Sequence, residues 1–171
     1  MRFKFLTVLA AGLLLAACSS TPEDTQASTA GGSSTTGGTS AVAGTAVPGS
    51  QEDLVQNVGD RVFFGFDKYD LTPEAQATLE RQAAWMQQHP SVTVTVEGHA
   101  DERGTREYNL ALGERRANSV KNYLVALGVD QNRVTTISYG KERPAVSGSS
   151  EEAWAQNRRG VTVVTGGAPA S

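Results

Sequence analysis

The run Val96-Glu97-Gly98-His99-Ala100-Asp101-Glu102-Arg103-Gly104-Thr105-Arg106-Glu107-Tyr108-Asn109-Leu110-Ala111-Leu112-Gly113-Glu114-Arg115-Arg116-Ala117 concentrates carboxylates and guanidinium groups around one of the chain's two histidines. Asp101 supplies an acceptor for an ammonium, and Arg116 a planar fork for a carboxylate. Asn109 offers both donor and acceptor between them. Such a set suits a zwitterionic amino-acid centre. It suits equally well a simple bridge between Asp101 and Arg116, and the residue types alone do not separate the two. Asn109, Leu112 and Arg116 are spaced i, i+3, i+7, which places them on one stripe of a helix that continues into Val120, Tyr123, Leu124 and Leu127. A charged arginine on an apolar stripe is costly unless something anionic meets it, so its partner is expected to be Asp101 or a ligand.

The elements that must position these residues follow from periodicity. Ser91-Val92-Thr93-Val94-Thr95-Val96 alternates as a half-buried strand. If that strand runs on, Glu97, His99 and Asp101 share one face near its end. Thr105 is placed to cap a helix over Arg106–Leu127, with Glu107 favourably in its first turn and Gly128 as its stop. Gly113 inside that helix costs about 1 kcal/mol relative to alanine. It marks either close approach of a neighbour or ligand, or a tolerated defect. Upstream, Gln51–Asp60 reads as a short helical lead-in, and Arg61-Val62-Phe63-Phe64-Gly65-Phe66 as a strand with Val62, Phe64 and Phe66 on one face. Asp67 to Asp70 then form a polar loop. Thr72 and Pro73 start a helix whose inward face is Ala75, Leu79, Ala83 and Met86 and which ends at His89-Pro90. Downstream come a strand over Val134–Tyr139, a short helix over Glu151–Arg158 and a last strand over Val161–Thr165. This alternation predicts an α/β sandwich, a sheet covered by helices on one face, in one domain of roughly 100 residues.

Other chemistries lack their residues. No second histidine stands near His99 in sequence, so Glu97, His99 and Asp101 make a poor metal set, and none is assigned. There is no nucleophile elbow, and the only cysteine is Cys18, which excludes thiol chemistry in the folded domain. Acid–base work by Asp101 and Glu102 is the remaining enzymatic alternative, and no catalytic residue is assigned. Without Arg2 and Lys4 of the leader, the 15 basic residues fall to 13 against 18 acidic ones. An acidic chain without a basic stripe argues against nucleic acid as partner.

Arg2 and Lys4 precede the apolar run Phe5–Leu15, too short for a permanent membrane span and fitting a secretory leader. It ends in Leu15-Ala16-Ala17-Cys18, which resembles the lipobox of bacterial lipoproteins. That resemblance implies residues 1–17 as a cleaved signal peptide, lipidation of Cys18 and, with Ser19 following, export to the outer membrane. The Ser-, Thr-, Gly- and Ala-rich stretch that follows predicts a flexible tether, so residues 18–50 form the lipidated linker, 51–166 the domain and 167–171 a short tail.

Glu97 to Thr105, Tyr108-Asn109 and Leu112 to Ala117, together with Phe66 to Asp70, Ser138 to Lys141 and Asn157-Arg158-Arg159, resemble the peptidoglycan-binding motif of OmpA-like domains. The resemblance implies an OmpA-like β/α sandwich with a mixed four-stranded sheet. It further implies binding of the diaminopimelate in the peptide stem of peptidoglycan, no cofactor, and a lipid-anchored domain facing the periplasm. By this match Asp101 and Arg116 grip the ammonium and carboxylate, with Asn109, Leu112 and Thr105 beside them and Asp67 and Tyr69 lining the same pocket. Periplasmic and inner-membrane Tol proteins are implied as partners, in envelope integrity and division. The family pattern Gly-Thr-Pro-Glu-Tyr-Asn departs here at Arg106, which removes the preset φ of proline and is expected to add a cation near the pocket mouth.

Overall fold

The computed structural model describes residues 46–167. The expected signal peptide, Cys18, most of the expected tether and the last four residues lie outside the described residues. Gln51–Asp53 (α1) opens the described elements and continues as a π-turn over Leu54–Val58. Then come β1 (Arg61–Phe63), α2 (Pro73–Gln88), β2 (Thr93–His99), α3 (Arg106–Ala126), β3 (Val134–Gly140), α4 (Glu151–Asn157) and β4 (Arg159–Gly166). The sheet order is β1-β4-β2-β3. β2 and β3 run parallel, and β4 is antiparallel to both β1 and β2, so the sheet is mixed.

Local chemistry sets the helix limits as expected. The hydroxyls of Thr72 and Thr105 accept from the backbone N–H of Ala75 and Tyr108, and Pro73 fills the first position of α2. Ala75, Leu79, Ala83 and Met86 face inward, and with Val120 and Leu124 of α3 they cover Val62, Val94, Val96 and Val134 of the sheet. The buried polar groups beneath the sheet are paired: Thr162 donates to Gln82, and Gln82 donates to the Gly59 carbonyl.

Two expectations change. The first strand stops at Phe63, although Phe64 N–H still donates to the Arg158 carbonyl at 2.9 Å. Alternation ends there, so Phe64 is buried while Phe66 is 60% exposed on the loop. β2 does run on through Glu97 and His99 but ends before Asp101. A bulge at the Gly98/His99 step shifts its register against β3, and Ala100 N–H donates to the Gly140 carbonyl. Asp101 is thereby turned off the strand.

Gly113 is explained by a neighbour rather than a ligand. α3 lies directly on β2 at Gly98: a Cβ on Gly98 would sit 1.8 Å from the Gly113 carbonyl oxygen, and one on Gly113 only 2.3 Å from the Ser138 hydroxyl. This contact sets how close α3 lies to the end of β2. Gly98→Ala is therefore expected to lower stability by more than about 3 kcal/mol, the top of the range for overpacking. Urea unfolding checks this, and a loss under about 0.5 kcal/mol would show that the glycine contact is not obligatory.

Candidate functional site

Five of the seven residues expected at the site line one cleft of about 220 Å³: Asp67, Asp101, Asn109, Leu112 and Arg116, joined by Phe66, Arg103, Gly104 and Tyr108. The cleft lies between the first half of α3, the turn after β2 and the loop after β1.

Arg116 is fully buried, and Asp101, the protein partner expected for it, pairs with other arginines instead. Its Nε donates to the Lys68 carbonyl at 2.8 Å, Nη1 to the His99 carbonyl at 2.7 Å and Nη2 to the Gly65 carbonyl at 3.1 Å. No carboxylate forms an ion pair with it among the described residues. The guanidinium also stands over the Phe64 ring, 5.2 Å from its centroid. Of its five N–H donors three are committed, which leaves one on each terminal nitrogen without a protein acceptor. Burial pulls its pKa down to about 10, opposed by the charge of Asp101, so it stays cationic at neutral pH.

Asp101, also buried, faces two other arginines. Arg103 grips it bidentately, with Nη2 at 2.6 Å and Nε at 3.2 Å, and Arg158 Nη1 lies 3.3 Å away. Burial is the largest single influence on this carboxyl and acts to raise its pKa. The hydrogen bonds from Arg103 and Arg158 together outweigh it and hold Asp101 below the usual carboxylate range. Asn109 spends both N–H groups of its amide on the Arg103 and Thr105 carbonyls, so only its oxygen is left for a ligand. Buried Leu112 supplies an apolar floor. Asp67 adopts a left-handed backbone (φ 56°) and accepts from the Tyr108 hydroxyl, a bond that raises the tyrosine's pKa.

Thr105 and Tyr69 do not line the cleft. The Thr105 hydroxyl is spent on the cap of α3. After the reversal at Asp67, Tyr69 lands in the surface groove beside Ser119, Asn122 and Tyr123, with Arg115 5.8 Å from its ring centroid. Arg106 also points elsewhere, with Nε 3.3 Å from Glu142 rather than at the cleft. The sequence reading missed Phe66, Arg103, Tyr108 and Arg158. Tyr108 stands four residues before Leu112 and eight before Arg116, so the helical stripe contained the signal for it. Nothing in the spacing signalled that Arg158, far along the chain, comes back to Asp101.

A mixed sheet thus carries a buried cation and a buried anion at one cleft. Residues 63–158 match the OmpA family, and the chain belongs to it. The chain is similar to the peptidoglycan-associated lipoprotein of Rhizobium meliloti (strain 1021), 57% identical over 124 residues that cover 72% of this chain and 70% of that protein. It is similar also to the peptidoglycan-associated lipoprotein of Haemophilus influenzae, 46% identical over 158 residues that cover 92% and 95% of the two chains. Among solved structures, the peptidoglycan-associated lipoprotein from Burkholderia pseudomallei superposes with a TM-score of 0.61 at 42% identity, over 62% of this chain and 90% of that one. The expected OmpA-like sandwich is thus the fold observed.

His99, whose carbonyl orients Arg116, has a buried ring with neither nitrogen hydrogen-bonded among the described residues, and the Glu97 carboxylate 3.4 Å from its Nε2 would pair with it only if the ring were protonated. Burial, then the charges of Arg159 and Arg143, push its pKa down from 6.5 to about 4. The fold holds this ring neutral, whereas the unfolded chain takes up a proton below about pH 6.5, so stability falls as pH drops from there towards 4. A loss of the order of 3 kcal/mol is expected across that window, and His99→Gln should flatten it. Denaturation midpoints at pH 7, 5.5 and 4 measure this, and parallel curves for the two proteins would contradict it.

Proposed function

We propose that this chain binds peptidoglycan non-covalently, taking the free amino-acid centre of the diaminopimelate in the peptide stem into the cleft of α3. One observation carries the reading: a buried guanidinium with two uncommitted N–H groups and a buried carboxylate share one cleft above the apolar side chain of Leu112. In this reading Arg116 receives the carboxylate and Asp101 the ammonium, with the oxygens of Asn109 and Asp67 beside it. Leu112 packs under the methylene chain. Thr105 acts through the cap that fixes α3, and Tyr69 stays outside the contact. The motif resemblance and the names of the related lipoproteins support the ligand class. No bond is made or broken, so the chain acts as a binding protein and not as an enzyme.

The anchor completes the proposal. A lipid on Cys18 holds the chain to the outer membrane, residues 18–50 serve as tether, and residues 51–166 reach the wall from the periplasmic side. Attachment at both ends raises the effective concentration at each, so the wall contact can be individually weak and still link membrane to wall. A partnership with the periplasmic and inner-membrane Tol proteins, in envelope integrity and division, rests on the resemblance of the motif alone.

Full-length protein in detergent is expected to co-sediment saturably with purified sacculi and to be released by free meso-diaminopimelate. Asp101→Ala and Arg116→Lys, each checked for folding by circular dichroism, should weaken pelleting at least about tenfold, the scale of one charge-assisted contact. Wild type left in the supernatant, or folded variants that pellet equally, would refute the reading. In cells Cys18→Ser should abolish incorporation of labelled palmitate, and retained label would place the lipid elsewhere.

A further inference from the structure

The acceptor on which the proposed grip depends is already fully engaged. Oδ1 of Asp101 accepts from the Arg103 backbone N–H at 3.1 Å and from Arg103 Nε at 3.2 Å. Oδ2 accepts from Arg103 Nη2 at 2.6 Å and from Arg158 Nη1 at 3.3 Å. A carboxylate offers about four lone-pair positions, so these four donors leave no place for an ammonium.

The two arginines differ in freedom. Arg158 is buried and also held by the Phe64 carbonyl at 3.0 Å and by Glu151 at 2.6 Å. The Arg103 side chain is 30% exposed and forms part of the cleft wall. Its guanidinium is sandwiched 4.1 Å from the Phe66 ring centroid and 4.0 Å from that of Trp154. Two rings and a carboxylate around a cation are the arrangement by which proteins bind cationic ligands. Here the chain supplies the cation itself.

We propose, on the reading that the cleft takes a zwitterionic amino-acid centre, that Arg103 is an internal occupant of the ammonium position, displaced from Asp101 when the ligand binds. Its departure leaves Asp101 still paired with Arg158 and with the Arg103 backbone N–H, so the carboxylate stays in place and ionised. Arg103 itself has an alternative partner, because its Nη1 already lies 3.7 Å from the exposed Glu151 carboxylate. Binding thus exchanges one bidentate charge pair for the ligand's ammonium contact, and the net gain comes from the carboxylate delivered to Arg116. Arg103 sets the affinity by competing for Asp101. It keeps wall attachment weak enough to be released, and its removal should strengthen binding.

The test is isothermal titration calorimetry of full-length protein in detergent with meso-diaminopimelate, comparing wild type, Arg103→Gln and Asp67→Asn. It is accompanied by nitrogen-15 spectra of the arginine Nε–H groups in wild type. Arg103→Gln is expected to bind about tenfold more tightly, the scale of one charge-assisted hydrogen bond, and the wild-type Arg103 Nε–H signal should shift on ligand addition. A folded Arg103→Gln with equal or weaker affinity, or an unmoved Arg103 signal, overturns the inference and leaves the functional reading intact wherever wild type binds. A loss confined to Asp67→Asn would then place the ammonium on Asp67, the cleft carboxylate without an ion pair among the described residues. Absence of binding by wild type and Arg103→Gln alike would overturn both.

Discussion

Arg116 carries a full positive charge with no carboxylate paired to it among the described residues, and the loop, strand and helix that form the cleft all meet on its guanidinium. Burying an arginine costs several kcal/mol unless its donors are satisfied. Here backbone carbonyls from two separated segments satisfy three of its five donors, Gly65 and Lys68 before α2 and His99 at the end of β2. The bonds work in both directions. They stabilise the cation and also fix the loop that carries Phe66 and Asp67 against the turn that carries Asp101. Neutral carbonyls cancel none of the charge, so the site keeps its attraction for an anion. An arginine already neutralised by a buried carboxylate would have lost it.

The packing beneath this arrangement serves the same end. Gly98 against Gly113 lets α3 lie on the strand backbone, which brings position 116 within reach of the His99 carbonyl. The bulge beside Gly98 then turns the chain so that Asp101 enters the cleft instead of continuing along the sheet. The Thr105 cap sets the start of α3, and Asn109 pins the turn by donating to the Arg103 and Thr105 carbonyls. A buried guanidinium and a buried carboxylate thereby line one cleft, with the apolar Leu112 beside them.

Much of this was legible in the chain because it depends on local rules. The 3.6-residue period placed Asn109, Leu112 and Arg116 on one stripe, and threonine caps marked the starts of α2 and α3 within a residue. Non-local features were hidden. The partners of Arg116 are carbonyls, which every residue carries, so no side-chain pattern can announce them. Asp101 suggested itself as that partner because opposite charges attract, yet Arg103 two residues away reaches it through the turn, and Arg158 returns to it from the junction of α4 and β4. Phe66 was placed on one face with Val62 and Phe64 because strand alternation was extended past Phe63, where the strand ends. Tyr69 was assigned to the pocket by resemblance, and the reversal at Asp67 carries it to another groove.

The most direct measurement of the central claim is a crystal structure of the protein soaked with meso-diaminopimelate. The account predicts a ligand carboxylate within hydrogen-bond distance of both terminal nitrogens of Arg116, while the three carbonyl bonds to that guanidinium persist. It also predicts the ligand ammonium at Asp101, with the methylene chain over Leu112. A ligand seated on another face, or held in this cleft without contact to Arg116, would contradict it.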